Sequence, residues 1–106
     1  MKREEAVKLH KEMWGWLAEN PDKDKPQWPR WVSNGGTVED IDYDCFACED
    51  NSDYTGTYSC KNCMIDWGYN NCKSIGSPYE LWDYSENNED KAIYAAIIRD
   101  LPIRKL

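Results

Sequence analysis

Four of the five cysteines fall into two C-x-x-C pairs, and this pattern constrains the fold of the chain more than any other feature. Cys45 and Cys48 form the first pair, Cys60 and Cys63 form the second, and 11 residues separate the pairs. Each pair can bring two sulfur atoms onto one ion through a tight turn, and closing the loop between them completes a tetrahedral set of four thiolates. The spacing therefore predicts one structural Zn²⁺. An iron–sulfur cluster, redox-active dithiols or unligated thiols are the alternatives.

Cys72 is the cysteine outside the pairs. We interpret it as a buried free thiol, because a buried cysteine commonly behaves as a small apolar residue. It could instead replace Cys60 or Cys63 as the fourth ligand. A disulfide framework would leave one of the five thiols over, and the N-terminal residues lack the apolar region of a signal peptide. Both features predict a cytoplasmic protein.

The length of 106 residues predicts a single zinc-stabilised domain, 1–106. Ile, Leu, Val and Phe together number only 16, so the six Trp and seven Tyr are needed to supply buried apolar area. The tryptophans could alternatively form a base-stacking or partner-binding surface. The predicted aromatic core consists of Trp14, Trp16, Trp28, Trp31 and Trp67.

Three segments have the apolar spacing or the capping residues of helices. Residues 3–19 carry an apolar stripe that includes His10, the only histidine, and Asn20-Pro21 ends the helix. Ser77 is a suitable N-cap for a short helix over 78–84. A final helix is expected after residues 85–90 and before Pro102. Its predicted apolar face consists of Ile93, Ala96, Ile97 and Leu101, with Tyr94 and Ile98 on its flanks.

The segment between the first two predicted helices has the sequence pattern of a different kind of structure. Residues 21–36 contain three prolines and a glycine pair, which is typical of an ordered loop. Residues 45–72 combine turn residues with short β-prone pieces at 54–55 and 57–58, which favours hairpins tied by metal. The predicted fold class is therefore α+β. Its core would be small and zinc-knuckle or zinc-ribbon-like, with short hairpins and a helix on either side.

The charge is concentrated in the middle of the chain. The net charge is −7, but residues 37–90 contain thirteen acidic and only two basic residues. These acids could form a solvated face, or a surface that binds a basic partner. The candidate partner-binding residues are Glu39, Asp40, Asp42, Asp44, Glu49, Asp50 and Asp53.

Four segments carry a resemblance to a known group of proteins: Met13–Trp16, Trp28–Trp31, Cys60–Cys63 and Asp66–Gly68. With these motifs the chain resembles, over nearly its whole length, uncharacterised small Cys-rich proteins of phages and prophages of low-GC Gram-positive bacteria. The resemblance implies a genomic setting and a metal site, and it implies no reaction.

The favoured hypothesis is a phage protein that acts as a protein–protein interaction module in the host cytoplasm. Its partner would be a host protein with a basic surface, such as a nucleic-acid-handling or defence enzyme that it inhibits in an anti-CRISPR-like manner. The alternative is a zinc-ribbon nucleic-acid-binding protein, which the acidic charge opposes. An enzyme is not expected, because four cysteines close the metal shell and no Cys/His or Ser/His pairing is visible. No apolar run approaches the ~18 residues of a membrane span, and nothing in the sequence predicts an oligomeric state.

Overall fold

The chain is built around three α-helices in the computed structural model, which describes residues 3–39, Phe46, 64–67 and 75–103. Helix α1 covers Arg3–Glu19, α2 covers Pro78–Tyr84 and α3 covers Asn88–Arg99. Two short 3₁₀ helices, Lys25–Gln27 and Val32–Asn34, lie in the loop after α1. Helix α3 packs against both α1 and α2. The helices therefore pack on one another and form much of the core themselves.

Helix α1 has the predicted bounds, and its apolar stripe is buried. At the end of the helix the backbone N–H and the side-chain amide of Asn20 both donate to the Trp16 carbonyl, at 2.8 and 2.9 Å, and Pro21 follows. Glu4 and Glu5 lie in the first turn, where negative charge interacts favourably with the helix dipole. The buried residues of α1 are Ala6, Leu9, His10, Met13, Trp14 and Leu17.

Side-chain caps set the starts of α2 and α3. The Ser77 hydroxyl accepts from the Glu80 N–H at 3.2 Å, which confirms the predicted helix over 78–84. The Asn87 side chain accepts from the N–H groups of Glu89 and Asp90, at 2.8 and 3.2 Å. Helix α3 consequently begins at Asn88, inside the polar segment that was expected to precede it.

The buried face of α3 differs from the predicted one. Ala95 and Ile98 are fully buried, whereas Ile93 and Ile97 are 52% and 43% exposed. The apolar residues of this helix occupy two faces, so spacing alone could not show which face meets the rest of the protein. The small side chain of Ala95 allows a close approach of the neighbouring helices. The prediction that Ile93 and Ile97 lie on the core face is therefore wrong.

The loop predicted over residues 21–36 is ordered, and its hydrogen bonds extend to Val38. The Trp31 indole N–H donates to the Lys25 carbonyl at 2.9 Å, and the N–H of Val32 donates to the Val38 carbonyl at 2.7 Å. The Val38 N–H in turn donates to the Arg30 carbonyl at 2.8 Å. A Cβ atom at Gly36 would lie 2.2 Å from the Arg30 carbonyl oxygen, so this turn requires glycine.

The predicted α+β, zinc-ribbon-like fold is wrong. Of the described residues, 61% are helical and none belong to a sheet. Extended pairing there is limited to isolated bridges between Trp31 and Val38 and between Ile65 and Ile103. The prediction failed because it placed the core around the cysteine turns, whereas the tryptophans and the helices bury their apolar area on one another. The β-prone pieces at 54–55 and 57–58 lie outside the described residues.

Candidate metal centre and its aromatic surroundings

The predicted metal ligands Cys45, Cys48, Cys60 and Cys63 lie outside the described residues, and so does Cys72. The structure does describe the chain neighbours of both pairs. Phe46 lies within the first C-x-x-C motif and Met64 directly follows the second, and both side chains are fully buried in one apolar core. The sequence therefore attaches each cysteine pair to a residue that the core holds in place.

Phe46 is held by two tryptophans of the loop after α1. Its ring stacks on Trp31 with centroids 5.4 Å apart and meets Trp28 edge-on at 5.8 Å. The two indoles meet each other edge-on at 5.2 Å. Aromatic pairs in such geometry contribute roughly 0.5–1.5 kcal/mol each beyond the buried area. The first cysteine pair is thereby linked to an aromatic cluster of the core.

The residues after the second cysteine pair are tied to the end of α3. Ile65 forms an antiparallel bridge with Ile103, and the Asp66 N–H donates to the Pro102 carbonyl at 2.9 Å. Trp67 is only 6% exposed. Backbone pairing and side-chain burial together fix the path of the chain at this point.

The His, Asp and Glu side chains of the described residues are the other possible metal ligands. Among the described ranges, no group of three or more His, Cys, Asp or Glu side chains is placed to hold a metal. His10 lies in the core, since it is 2% exposed and its Nε2 lies 3.3 Å from the Ile98 carbonyl oxygen. Burial lowers its pKa to about 4. Four cysteine thiolates match the soft, tetrahedral preference of Zn²⁺.

A second aromatic cluster joins α1 to α2. The rings of Trp14 and Trp82 meet edge-on with centroids 4.8 Å apart, and Tyr79 lies within 6.0 Å of both. Trp82 is 1% exposed and was not among the predicted core residues, although its place one turn after Tyr79 on a capped helix was a usable signal.

The predicted core tryptophans Trp14, Trp28, Trp31 and Trp67 are confirmed as buried, while Trp16 is partly buried against the same core. A side chain that is almost wholly buried cannot stack on a nucleic-acid base. These four tryptophans are therefore excluded as base-stacking residues.

Of the predicted acidic partner-binding residues, the structure describes Glu39, which is exposed. The other six predicted residues lie outside the described residues: Asp40, Asp42, Asp44, Glu49, Asp50 and Asp53.

A groove between α2 and α3 is a candidate site that the sequence analysis missed. It has a volume of about 490 Å³ and is open to solvent. Five acidic and no basic residues occur between positions 77 and 90, and this local charge was the available signal. The groove is lined by Glu80, Leu81, Tyr84, Ser85, Glu86, Asn87, Asp90 and Tyr94.

No helix in the part of the chain that the structure describes is both long and apolar enough to cross a lipid bilayer. Comparison of the chain with protein-family models, with curated proteins and with solved structures gives no significant match.

Proposed function

We propose that the chain is a small interaction module that uses an acidic surface to bind a protein with a basic surface. The charge distribution carries this proposal, since residues 37–90 combine thirteen acids with two bases. A concentrated negative field attracts a basic protein and repels nucleic acid. The burial of four tryptophans supports the same conclusion, because it removes the side chains best suited to stack on bases.

The partner class follows from the sign of the charge. A host enzyme that handles nucleic acid needs a basic groove, and an acidic protein can occupy that groove in place of phosphate. The resemblance to phage proteins adds a setting in which such inhibition is useful, namely the host cytoplasm during infection. We therefore infer an inhibitor of a host nucleic-acid-handling or defence enzyme, comparable in role to an anti-CRISPR protein.

A structural Zn²⁺ bound by Cys45, Cys48, Cys60 and Cys63 belongs to the same proposal. Zinc binding in small domains contributes ~10–16 kcal/mol of apparent free energy, which is available to folding. Chain neighbours of both pairs are buried in the core, so a metal joining the pairs would close the segment between two fixed points.

Metal analysis tests this part of the proposal. Protein purified from cytoplasm should contain about one zinc per chain. Serine at any of the four ligand positions should remove the metal and destabilise the fold, whereas the control Cys72→Ser should keep both. Folded wild-type protein with less than half an equivalent of zinc would refute the site. Zinc loss in Cys72→Ser, with retention in Cys63→Ser, would reassign the fourth ligand.

The binding proposal is tested by affinity capture from a host lysate, followed by kinetics with the purified captured protein. Long-range attraction is screened beyond ~8–10 Å near physiological ionic strength, so the association rate should fall as salt is added. A variant lacking four predicted acids should bind more slowly with little change in the dissociation rate. Its substitutions are Asp40→Asn, Asp42→Asn, Glu49→Gln and Asp50→Asn.

The matched control removes the same amount of charge outside residues 37–90, at exposed positions on or near α1. If both variants slow association equally, only net charge matters and the acidic surface is not the site. A captured protein whose association ignores both salt and the four substitutions would refute the electrostatic proposal. The control substitutions are Glu4→Gln, Glu5→Gln, Glu19→Gln and Asp22→Asn.

A further inference from the structure

The groove between α2 and α3 has a rigid frame. Trp82 anchors α2 in the core, where it is 1% exposed, and the Lys91 ammonium group of α3 lies 4.8 Å from the centre of the Trp82 ring. The connection between the helices is fixed by the Asn87 cap and by the Ser85 hydroxyl, which donates to the Asn87 carbonyl at 3.2 Å. A binding surface held in this way loses little conformational entropy when a ligand arrives.

The side chains that line the groove differ from those of an ordinary solvated acidic face. Tyr84 is 75% exposed and Leu81 is 38% exposed, so apolar area is left open to solvent. Tyr94 packs partly against the core and presents a second aromatic ring to the groove. An aromatic face attracts a cation within about 6 Å of its centre, and this attraction increases when solvent is excluded.

The carboxylates of the groove are not neutralised by nearby cations. Glu80 is partly engaged, because its side chain accepts from the Gly76 N–H at 3.3 Å. Within the described residues, Glu86 and Asp90 form no ion pair with a lysine or arginine. The groove therefore combines two uncompensated negative charges with two tyrosine rings.

We propose that this groove binds a lysine or arginine side chain that the basic partner presents. This inference rests on the proposed function and assigns to it a second contact, formed by residues other than the seven predicted acids. The cation would lie between the carboxylates of Glu86 and Asp90, and its aliphatic stem would cover the exposed faces of Tyr84 and Leu81. Charge complementarity selects a cationic occupant over an acidic or a purely apolar one.

The test titrates the full isotope-labelled chain by NMR with N-acetyl-arginine methylamide and, separately, with the lysine equivalent. The neutral citrulline analogue serves as a control, because it has nearly the shape of arginine without its charge. Saturable shifts are expected at the amides of residues 84–90 and at the Tyr84 and Tyr94 rings, with either cation and not with citrulline. Equal shifts from citrulline would overturn the inference.

A pair of charge-matched variants tests the location. Glu86→Gln with Asp90→Asn removes the two groove carboxylates and should weaken cation binding roughly tenfold. Asp83→Asn with Glu89→Gln removes the same charge from exposed positions of α2 and α3 that do not line the groove, and should leave binding nearly unchanged. Equal weakening in both variants would mean diffuse attraction to net charge and would overturn the inference. Circular dichroism of each variant checks that the helices persist.

The two proposals fail in different ways. If the captured partner binds the groove variant and the matched control equally well, the groove is not a contact, while the proposed function stands. If no basic partner is captured but the cation titration succeeds, the proposed function fails and the groove remains a cation-binding site. A negative titration with wild-type protein overturns the groove inference in either case.

Discussion

Acidification should destabilise the protein through His10. This side chain is 2% exposed, and burial lowers its pKa from 6.5 to about 4, with a further small lowering from the charge of Lys11. Its Nε2 faces the Ile98 carbonyl, which can only accept, so the neutral ring carries its proton on Nε2. The folded state thus holds a neutral imidazole that the unfolded chain would protonate below pH 6.5.

The sign and size of the effect follow from the pKa values. Because the folded-state pKa is depressed, the stability is fully present above pH 6.5 and is lost as the pH falls toward 4. Between pH 7.5 and 5 the difference in protonation costs about 2 kcal/mol. A loss of this size lowers the melting temperature of a chain this long by roughly 8–16 °C.

The matched control for this prediction is His10→Gln. The glutamine amide can donate to the Ile98 carbonyl in place of Nε2, and it does not titrate. Denaturant unfolding followed by tryptophan fluorescence at both pH values should show the wild type losing about 2 kcal/mol more than the variant. The remaining titratable groups, including thiolates at a zinc site, are the same in both proteins. Their contributions to the pH dependence therefore cancel when the two stability losses are subtracted. Equal losses in the two proteins would refute the burial argument.

Two further predictions concern packing. Gly36→Ala should destabilise the protein by roughly 1–3 kcal/mol, because its Cβ would lie 2.2 Å from the Arg30 carbonyl oxygen. Gly15→Ala should stabilise the protein by about 0.5–1 kcal/mol, because alanine favours the helix and its Cβ would lie 3.6 Å from the Arg99 side chain. Chemical denaturation measures both, and a stabilising Gly36→Ala would contradict the turn geometry. Trp31→Phe should lower the free energy of unfolding by about 1–3 kcal/mol more than Trp82→Phe does. Among the described residues the Trp31 indole N–H has a hydrogen-bond partner and the Trp82 indole N–H has none. Equal costs would show that the Trp31 hydrogen bond contributes nothing.

The helices were predictable because local signals and tertiary structure agree there. Ser77, followed by proline and then by Glu80, satisfies the first turn of α2 from within the sequence. Asn20 ends α1 with its own side chain, next to a proline that cannot continue the helix. Such helix boundaries depend on residues within one or two turns of them, so they can be predicted from the sequence alone.

The orientation of α3 and the overall architecture depend on contacts that are distant in sequence. Both faces of α3 are apolar enough to be buried, and packing against α1 selects the face of Ala95 and Ile98. The C-x-x-C pattern led us to predict a core centred on a metal ion, because cysteine spacing indicates a metal site specifically. The positions of the tryptophans in the sequence do not indicate which of them pack together. The indoles of Trp31 and Trp82 nevertheless organise the two described aromatic clusters.

Three basic residues of the described chain lie over aromatic rings. Lys25 lies over the Tyr79 ring at 4.7 Å and Arg30 over the Trp28 ring at 5.7 Å, and Arg30 also pairs with Glu12 on α1. Lys91 lies over the Trp82 ring at 4.8 Å. These cations are held against aromatic faces, where the ring quadrupole attracts them, and they do not neutralise the groove carboxylates. If the groove binds a cation as proposed, the partner would therefore supply the positive charge that Glu86 and Asp90 lack among the described residues.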